Sequence, residues 1–200
     1  MRLFIAVDVG DAVRDEVARV SHQINEALAT ANTPPRVTWV SRSAVHLTLC
    51  FLGEVAEEDV AGLQRRLADP IDVAPFDVEW HGLGAFPSPR RPRTLWIGVS
   101  RGAHELGRLE SELSRRLGRV HVEAEPFRPH LTLGRVRTPG NGVKWEDVFR
   151  DVAVRGVRSR VERVTLYRST LSPRGPNYTE MAHAALHSTG DRAPSAEGDR

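Results

Sequence analysis

Apolar residues recur along this chain at two spacings, and stretches of the two kinds alternate. Runs of apolar residues, and runs in which apolar and polar residues alternate, predict β-strands, whereas apolar residues three and four positions apart predict amphipathic helices. The predicted strands are residues 2–8, 37–40, 45–52, 76–86, 94–99, 130–136, 160–170 and 178–186. The predicted helices are residues 11–31, 57–68, 102–118 and 145–152.

The predicted elements follow the same order in both halves of the chain. The first half reads LFIAV, helix, proline, HLTL, helix and FDVEWHGL; the second reads LWIGV, helix, proline, HLTL, helix and SRVERVTL. Such self-similarity predicts an internal duplication. Its pseudo-two-fold axis would place the two HLTL strands in equivalent positions across a shared groove. The alternative is a chance repetition of strand–helix–strand units.

The repeated tetrapeptide, residues 46–49 and 130–133, is the strongest motif in the sequence. Successive side chains of a strand point to opposite faces, so His and Thr share one face and the two Leu residues share the other. A single H-x-T motif carries little information, and either copy alone is compatible with an ordinary strand whose His is hydrogen-bonded. Two copies that also match at both Leu positions favour a functional pair.

Two histidines that face each other can perform acid–base chemistry. An unperturbed His has a pKa near ~6.5, so one imidazole can accept a proton while its partner donates one. Threonine hydroxyls beside them can hold phosphoryl oxygens, which suits displacement at a phosphorus atom. Motifs for competing chemistries are not found: the sequence contains no H-E-x-x-H, no G-x-S-x-G and no P-loop.

Composition narrows the class of protein further. An apolar fraction of 40% and a charged fraction of 27% over 200 residues are typical of globular proteins. The single cysteine, Cys50, excludes an internal disulfide and a Cys-based zinc site, which fits a reducing cytoplasm. No membrane span and no signal peptide are predicted. Lys144 is the only lysine, so the cations are almost all arginine; this bias suits phosphate binding, but codon composition explains it equally well.

The chain also resembles a known family. The two HLTL motifs, the opening RLFIAV, FLGEV at residues 51–55, FRPHLTLGR around the second motif, LYRS at residues 166–169 and Tyr178 are similar to the RNA 2',3'-cyclic phosphodiesterases. These proteins are also called 2'-5' RNA ligases and belong to the 2H phosphoesterase superfamily. The resemblance covers residues 1–187. The small polar residues 188–200 predict a disordered tail.

The resemblance implies a fold, an activity and roles for four residues. The fold would be a single bilobal α+β domain whose antiparallel sheets line a cleft, with the helices outside. The activity would be metal-independent opening of a 2',3'-cyclic phosphate at an RNA end, without a cofactor, to leave a 2'-phosphate. His46 would donate a proton to the departing oxygen and His130 would activate water, while Thr48 and Thr132 would bind phosphate oxygens.

The resemblance also suggests Arg135 as a phosphate ligand. Arg135 lies five residues after His130, an odd offset that puts it on the opposite face of a regular strand. A β-bulge or a strand end at Gly134 would be needed to return Arg135 to the face of His130. A surface arginine is the alternative.

Weaker candidates concern the rest of the substrate. Phe51, Trp39 and Tyr178 can stack on a base of the RNA terminus, or can be core residues. The arginines of the loop at residues 87–93 can hold the RNA backbone, or can simply be solvated. The expected partner is RNA with cyclic-phosphate ends, or small cyclic-phosphate nucleotides; the chain is expected to be a monomer. A non-catalytic RNA-end binding module is the alternative, and 2'-5' ligation is the reverse chemistry.

Overall fold

The computed structural model describes residues 1–118, 126–172 and 175–187. Its β-strands, numbered β1 to β10, are Arg2–Asp8, Arg36–Trp39, His46–Glu54, Ile71–Asp72, Phe76–Phe86, Thr94–Arg101, Leu131–Thr138, Val157–Val161, Arg163–Ser172 and Gly175–His187. Its α-helices, α1 to α4, are Asp11–Ala29, Glu57–Arg66, Ala103–Leu117 and Trp145–Asp151. Residues 42–44 form one turn of 3₁₀ helix. The predicted tail at residues 188–200 lies outside the described residues.

The strands form two five-stranded sheets that share an order over four strands, β3-β1-β9-β10 in one and β7-β6-β5-β8 in the other. The first sheet runs β3-β1-β9-β10-β4 and the second runs β2-β7-β6-β5-β8. The two HLTL motifs are carried by β3 and at the start of β7, and each of these strands pairs antiparallel with the strand that carries LFIAV or LWIGV. The predicted α+β fold with two pseudo-symmetric lobes is therefore confirmed. The internal duplication that would explain it stays a prediction.

Each sheet contains a central strand from the other half of the chain. β5 ends the first half of the chain but pairs with β6 and β8 of the second sheet. β9 ends the second half but lies between β1 and β10 of the first sheet. Neither sheet is therefore complete without a strand from the other half of the chain.

Burial of the leucine faces fixes the direction in which the motif side chains point. Leu47, Leu49, Leu131 and Leu133 are completely buried in the common core. Removing an apolar side chain of this size from water stabilises the fold by roughly 1.5–3 kcal/mol. The alternating His and Thr side chains are thereby directed to the opposite, cleft-facing side of each sheet, where they are half-buried.

The predicted strand at residues 160–170 is wrong in one respect, because two strands occupy this region. β8 ends at Val161 and belongs to the second sheet, whereas β9 begins at Arg163 and belongs to the first. Val161 and Val164 are both buried although they are three positions apart, with exposed Glu162 and Arg163 between them. This break in the two-residue period marks the point at which the chain changes sheets.

A β-bulge lies at the last residue of each motif. In β7, Thr132 is opposite Trp96 and Gly134 is opposite Leu95, so Leu133 is an extra residue. In β3, Thr48 is opposite Ala6 and Cys50 is opposite Ile5, so Leu49 is extra. The bulge restores the residue after it to the cleft face, which places Phe51 with Thr48 and Arg135 with Thr132. The bulge that the sequence required for Arg135 is therefore present.

No helix among the described residues is long and apolar enough to cross a membrane.

The second bulge needs glycine for reasons of space. A Cβ on Gly134 would lie 2.8 Å from Val37 Cγ1 and 3.0 Å from the indole of Trp39. We expect Gly134→Ala to push β2 away from β7 and to lower the free energy of unfolding by about 1–3 kcal/mol. Urea denaturation measures this change.

A matched glycine in α3 provides the control. A Cβ on Gly107 meets no atom within 4 Å, so Gly107→Ala should be neutral or should stabilise the protein by about 0.5–1 kcal/mol through helix propensity. Equal destabilisation by both substitutions would contradict the packing argument at Gly134.

Candidate active site

The two motif histidines converge on one cleft. His46 begins β3 and His130 lies immediately before β7, and these two strands contact each other where the sheets meet. The two imidazoles are close enough to interact electrostatically, because repulsion from His130 contributes to the lowered pKa of His46. The structure therefore brings together the two residues that the sequence paired.

Each imidazole ring is oriented by a hydrogen bond to the backbone carbonyl two residues before it. His46 Nδ1 lies 2.8 Å from the carbonyl oxygen of Ala44, and His130 Nδ1 lies 2.7 Å from that of Arg128. A carbonyl oxygen can only accept, so Nδ1 carries the proton in each ring and donates it. Each Nε2 is thereby left for chemistry in the cleft. His46 Nε2 lies 3.2 Å from the hydroxyl of Thr48, which donates to it when the ring is neutral.

Aromatic side chains surround the imidazoles. The buried ring of Phe4 stacks against His46 with the centroids 4.9 Å apart, and Tyr178 meets the same imidazole edge-on at 5.0 Å. Phe86 meets His130 edge-on at 5.0 Å. Burial among these groups is the largest influence on both histidines, and it lowers the pKa of each below the ordinary value.

The charged neighbours of the two histidines differ in sign. Asp8 is directly opposite His46 in the β1–β3 ladder, and its carboxylate accepts hydrogen bonds from the hydroxyls of Tyr167 at 2.7 Å and Thr165 at 3.1 Å. Desolvation lowers the pKa of His46, and the Ala44 carbonyl and Asp8 partly offset this by raising it. The pKa of the Tyr167 hydroxyl is raised, mainly by burial and next by its hydrogen bond to Asp8.

His130 has a cation where His46 has an anion. Desolvation is the largest effect on the pKa of His130 and lowers it. The hydrogen bond to the Arg128 carbonyl raises this pKa, and the charge of Arg135 lowers it by a smaller amount. Arg135 also lowers the pKa of Tyr178, although burial makes the net shift of that hydroxyl upward. Arg135 therefore faces the cleft between the two lobes and is placed to bind an anion there.

The remaining predicted residues divide into two groups. Thr48 and Thr132 are half-buried on the cleft faces, Phe51 is 41% exposed there, and Tyr178 lies over His46. Trp39 lies on the opposite face of its sheet, where its indole N–H donates to Asn25 of α1 at 3.2 Å. This placement does not support a base-stacking role for Trp39, because packing against Gly134 and the helix occupies its ring.

Sequence reasoning missed four residues that shape the site. Phe4 and Asp8 lie within a strand that reads as ordinary buried structure, and Phe86 and Tyr167 lie on strands far from either motif. Their roles depend on cross-strand register, which the hydrophobic pattern alone does not reveal. One signal was available: Asp8 ends an otherwise apolar run at the edge of the predicted core.

Among residues 1–118, 126–172 and 175–187, no group of three or more His, Cys, Asp or Glu side chains is placed to hold a metal ion.

Two sheets that bring paired H-x-T strands to one cleft define the chain as a 2H phosphoesterase fold. A solved structure from Thermus thermophilus superposes with a TM-score of 0.71 at 29% identity, covering 94% of this chain and all of that one. E. coli LigT complexed with phosphate gives a TM-score of 0.61 at 26% identity, covering 92% of this chain and 96% of LigT.

Sequence comparison specifies the family. The family model for the 2'-5' RNA ligase superfamily matches residues 10–172, and the chain belongs to that superfamily. A protein of Archaeoglobus fulgidus named RNA 2',3'-cyclic phosphodiesterase is 34% identical over 183 residues, which are 90% of this chain and 98% of the relative. A protein of Thermotoga maritima with the same name is 34% identical over 180 residues, which are 89% of this chain and 91% of the relative.

The burial of the imidazoles leads to a prediction about their titration. As the pH falls, the signals of His46 and His130 should titrate below the range near ~6.5 in which an unfolded histidine titrates. Because the unfolded chain then binds protons first, the folded protein should lose stability as the pH falls below that range. Long-range ¹H–¹⁵N NMR correlations, assigned with His46→Asn and His130→Asn, measure both the pKa values and the tautomer. Titration of either ring at or above the peptide value would contradict the burial argument.

Proposed function

We propose that this protein hydrolyses 2',3'-cyclic phosphate ends of RNA to 2'-phosphomonoesters, with His46 as general acid and His130 as general base. The observation that carries the proposal is that two strands with the same motif direct two Nε2 atoms into one cleft. The names of the relatives in Archaeoglobus and Thermotoga support the choice of substrate.

The reaction follows from this geometry. The cyclic phosphate lies between the imidazoles, with its non-bridging oxygens on the hydroxyls of Thr48 and Thr132 and near the guanidinium of Arg135. His130 Nε2 takes a proton from water, and the water oxygen forms a bond to phosphorus. The bond from phosphorus to the 3' oxygen breaks, and His46 Nε2 gives its proton to that oxygen. The 2' ester bond stays intact, and solvent restores both protonation states.

Ligation would use the same proton transfers. If the 5'-hydroxyl of a second RNA takes the place of water, the attack on phosphorus gives a 2'-5' linkage and again frees the 3' oxygen. Microscopic reversibility requires that the same two imidazoles also catalyse the cleavage of such a linkage. The proposal therefore includes reversible 2'-5' ligation as a second outcome of the same site.

The neighbouring charges support the assignment of roles. A general acid must be protonated before the reaction, and the carboxylate of Asp8 favours the protonated form of His46. A general base must be neutral, and the guanidinium of Arg135 disfavours a second positive charge on His130. The two rings occupy equivalent places in the fold, but their surroundings give them opposite tasks.

Removal of either imidazole tests the activity. We expect His46→Ala and His130→Ala each to lower kcat by about 10²- to 10⁴-fold on an oligonucleotide 2',3'-cyclic phosphate, because each loses one proton transfer. The assay is run with excess EDTA, and the product is identified as the 2'- or 3'-phosphate. Unimpaired turnover in either variant would refute the two-histidine mechanism, and tight binding without product at any pH would indicate a binding module instead.

The assignment of acid and base has its own test in the pH dependence of kcat/KM. Asp8→Asn removes a charge that raises the pKa of His46, so the alkaline limb should move to lower pH. Arg135→Gln removes a charge that lowers the pKa of His130, so the acidic limb should move to higher pH.

Exchanged roles would reverse this pattern. If His46 were the base, Asp8→Asn would move the acidic limb, and Arg135→Gln would move the alkaline limb. Tyr167→Phe is the matched control for Asp8→Asn, because it removes a hydrogen bond to the carboxylate but keeps the negative charge. This variant should leave the alkaline limb closer to its original position than Asp8→Asn does.

A further inference from the structure

We propose that an arginine track, which starts at Arg135 beside the reacting phosphate and continues through Arg93, Arg91 and Arg137, binds the backbone phosphates of RNA that lie 5' of the cyclic end. The inference rests on the proposed function, because it starts from a terminal phosphate held between the two histidines. It extends that function by making the preferred substrate an oligonucleotide rather than a mononucleotide.

The track begins on the cleft face of β7. The bulge at Leu133 turns Arg135 toward the cleft, and the two-residue period brings Arg137 to the same face. Arg137 Nε donates to the hydroxyl of Thr38 at 3.1 Å, and Thr38 is the cross-strand partner of Arg135. Both guanidinium groups are therefore on the surface that leads away from the catalytic threonine of this strand.

The loop at residues 87–93 continues the track. It is tied to β7 because the Val136 N–H donates to the Arg93 carbonyl at 3.0 Å, and to β5 because the Arg93 N–H donates to the Phe86 carbonyl at 2.7 Å. Buried Pro92 anchors the loop between the exposed Arg91 and Arg93. These two arginines and Arg137 line a recess of about 430 Å³ at the end of β7.

The charges of the track are not neutralised by the protein. Several arginines elsewhere are paired with carboxylates, such as Arg42 with Asp11 and Asp15, and Arg115 with Glu112. None of the four track arginines forms an ion pair within the part of the chain that the structure describes. An adjacent arginine, Arg90, lies 3.9 Å from Glu146 and is left out of the track for that reason. Unpaired guanidinium groups in a row are suited to bind successive phosphates.

The length of the track sets the expected substrate. Thr132 and Arg137 are five positions apart on a strand with a rise of about 3.3 Å per residue, so the track extends roughly 15 Å from the catalytic phosphate. This distance is longer than a single nucleotide. A mononucleotide therefore cannot reach the far end, where Arg91 and Arg137 lie, whereas a short oligonucleotide can.

The test compares two substrates that have the same reacting end. These are adenosine 2',3'-cyclic phosphate and a pentanucleotide that ends in the same group. In the double variant Arg91→Gln/Arg137→Gln, the ratio of kcat/KM for the pentanucleotide to kcat/KM for the mononucleotide should fall about 3- to 20-fold. The slope of log kcat/KM against log salt for the pentanucleotide should become shallower by about 1.4, which is about 0.7 for each lost phosphate contact on a single strand.

A second double variant controls for net charge. Arg65→Gln/Arg108→Gln also removes two positive charges, from exposed positions on α2 and α3. It should change neither the ratio of kcat/KM values nor the salt slope. An unchanged ratio in the track variant, or an equal fall in the control variant, would overturn the inference.

A binding measurement separates failure of the track from failure of the proposed function. A fluorescent pentanucleotide with a 2'-phosphate end is titrated against wild-type and variant proteins, and its anisotropy is followed. If wild-type protein hydrolyses neither substrate, the proposed function fails, and weaker binding by the track variant alone still supports the track. Equal affinity of the wild-type, track and control proteins refutes the track whether or not hydrolysis is seen.

Discussion

The exchange of one central strand between the two halves of the chain is the constraint on which the rest of the structure depends. β9 completes the first sheet beside β1, and β5 completes the second sheet beside β6. Each exchanged strand also delivers an aromatic ring to the site: Tyr167 stacks on Phe4 beneath His46, and Phe86 meets His130. Loss of either exchanged strand would therefore remove apolar support from the imidazole in that sheet, so fold and site are stabilised by the same strands.

The two motif histidines occupy equivalent positions in the two sheets, but their neighbours differ at two positions. The residue opposite His46 is Asp8, whereas the corresponding position of β6, after Ile97, is the glycine Gly98. The residue after the bulge is exposed Phe51 in β3 and exposed Arg135 in β7. One half of the cleft thus has an anion and an aromatic surface, and the other half has a cation. This difference gives otherwise equivalent imidazoles a basis for opposite roles.

Much of this arrangement could be predicted from local patterns. The paired motif identified both histidines and both threonines, and the odd offset of Arg135 required a bulge that the structure contains. The two-residue strand β4 was missed because so short a segment has no periodicity. The surroundings of the histidines were missed for a different reason. The carboxylate of Asp8 is held by hydrogen bonds from β9, more than 150 residues away in sequence. Periodicity reports which face is buried, but it does not report which strand lies beside it.

The lowered pKa values of both histidines are consistent with a site in which the negative charge of a bound phosphate offsets the effect of burial. In the free protein, burial disfavours an imidazolium at either position more than the nearby carbonyls and Asp8 favour it. A phosphate anion between the rings adds an opposite charge, which raises the pKa of both. At His130 the guanidinium of Arg135 opposes that rise, whereas at His46 the carboxylate of Asp8 adds to it. In the proposed mechanism, substrate binding would therefore favour protonation of His46 over protonation of His130, which is the difference that an acid and a base require at the start of the reaction.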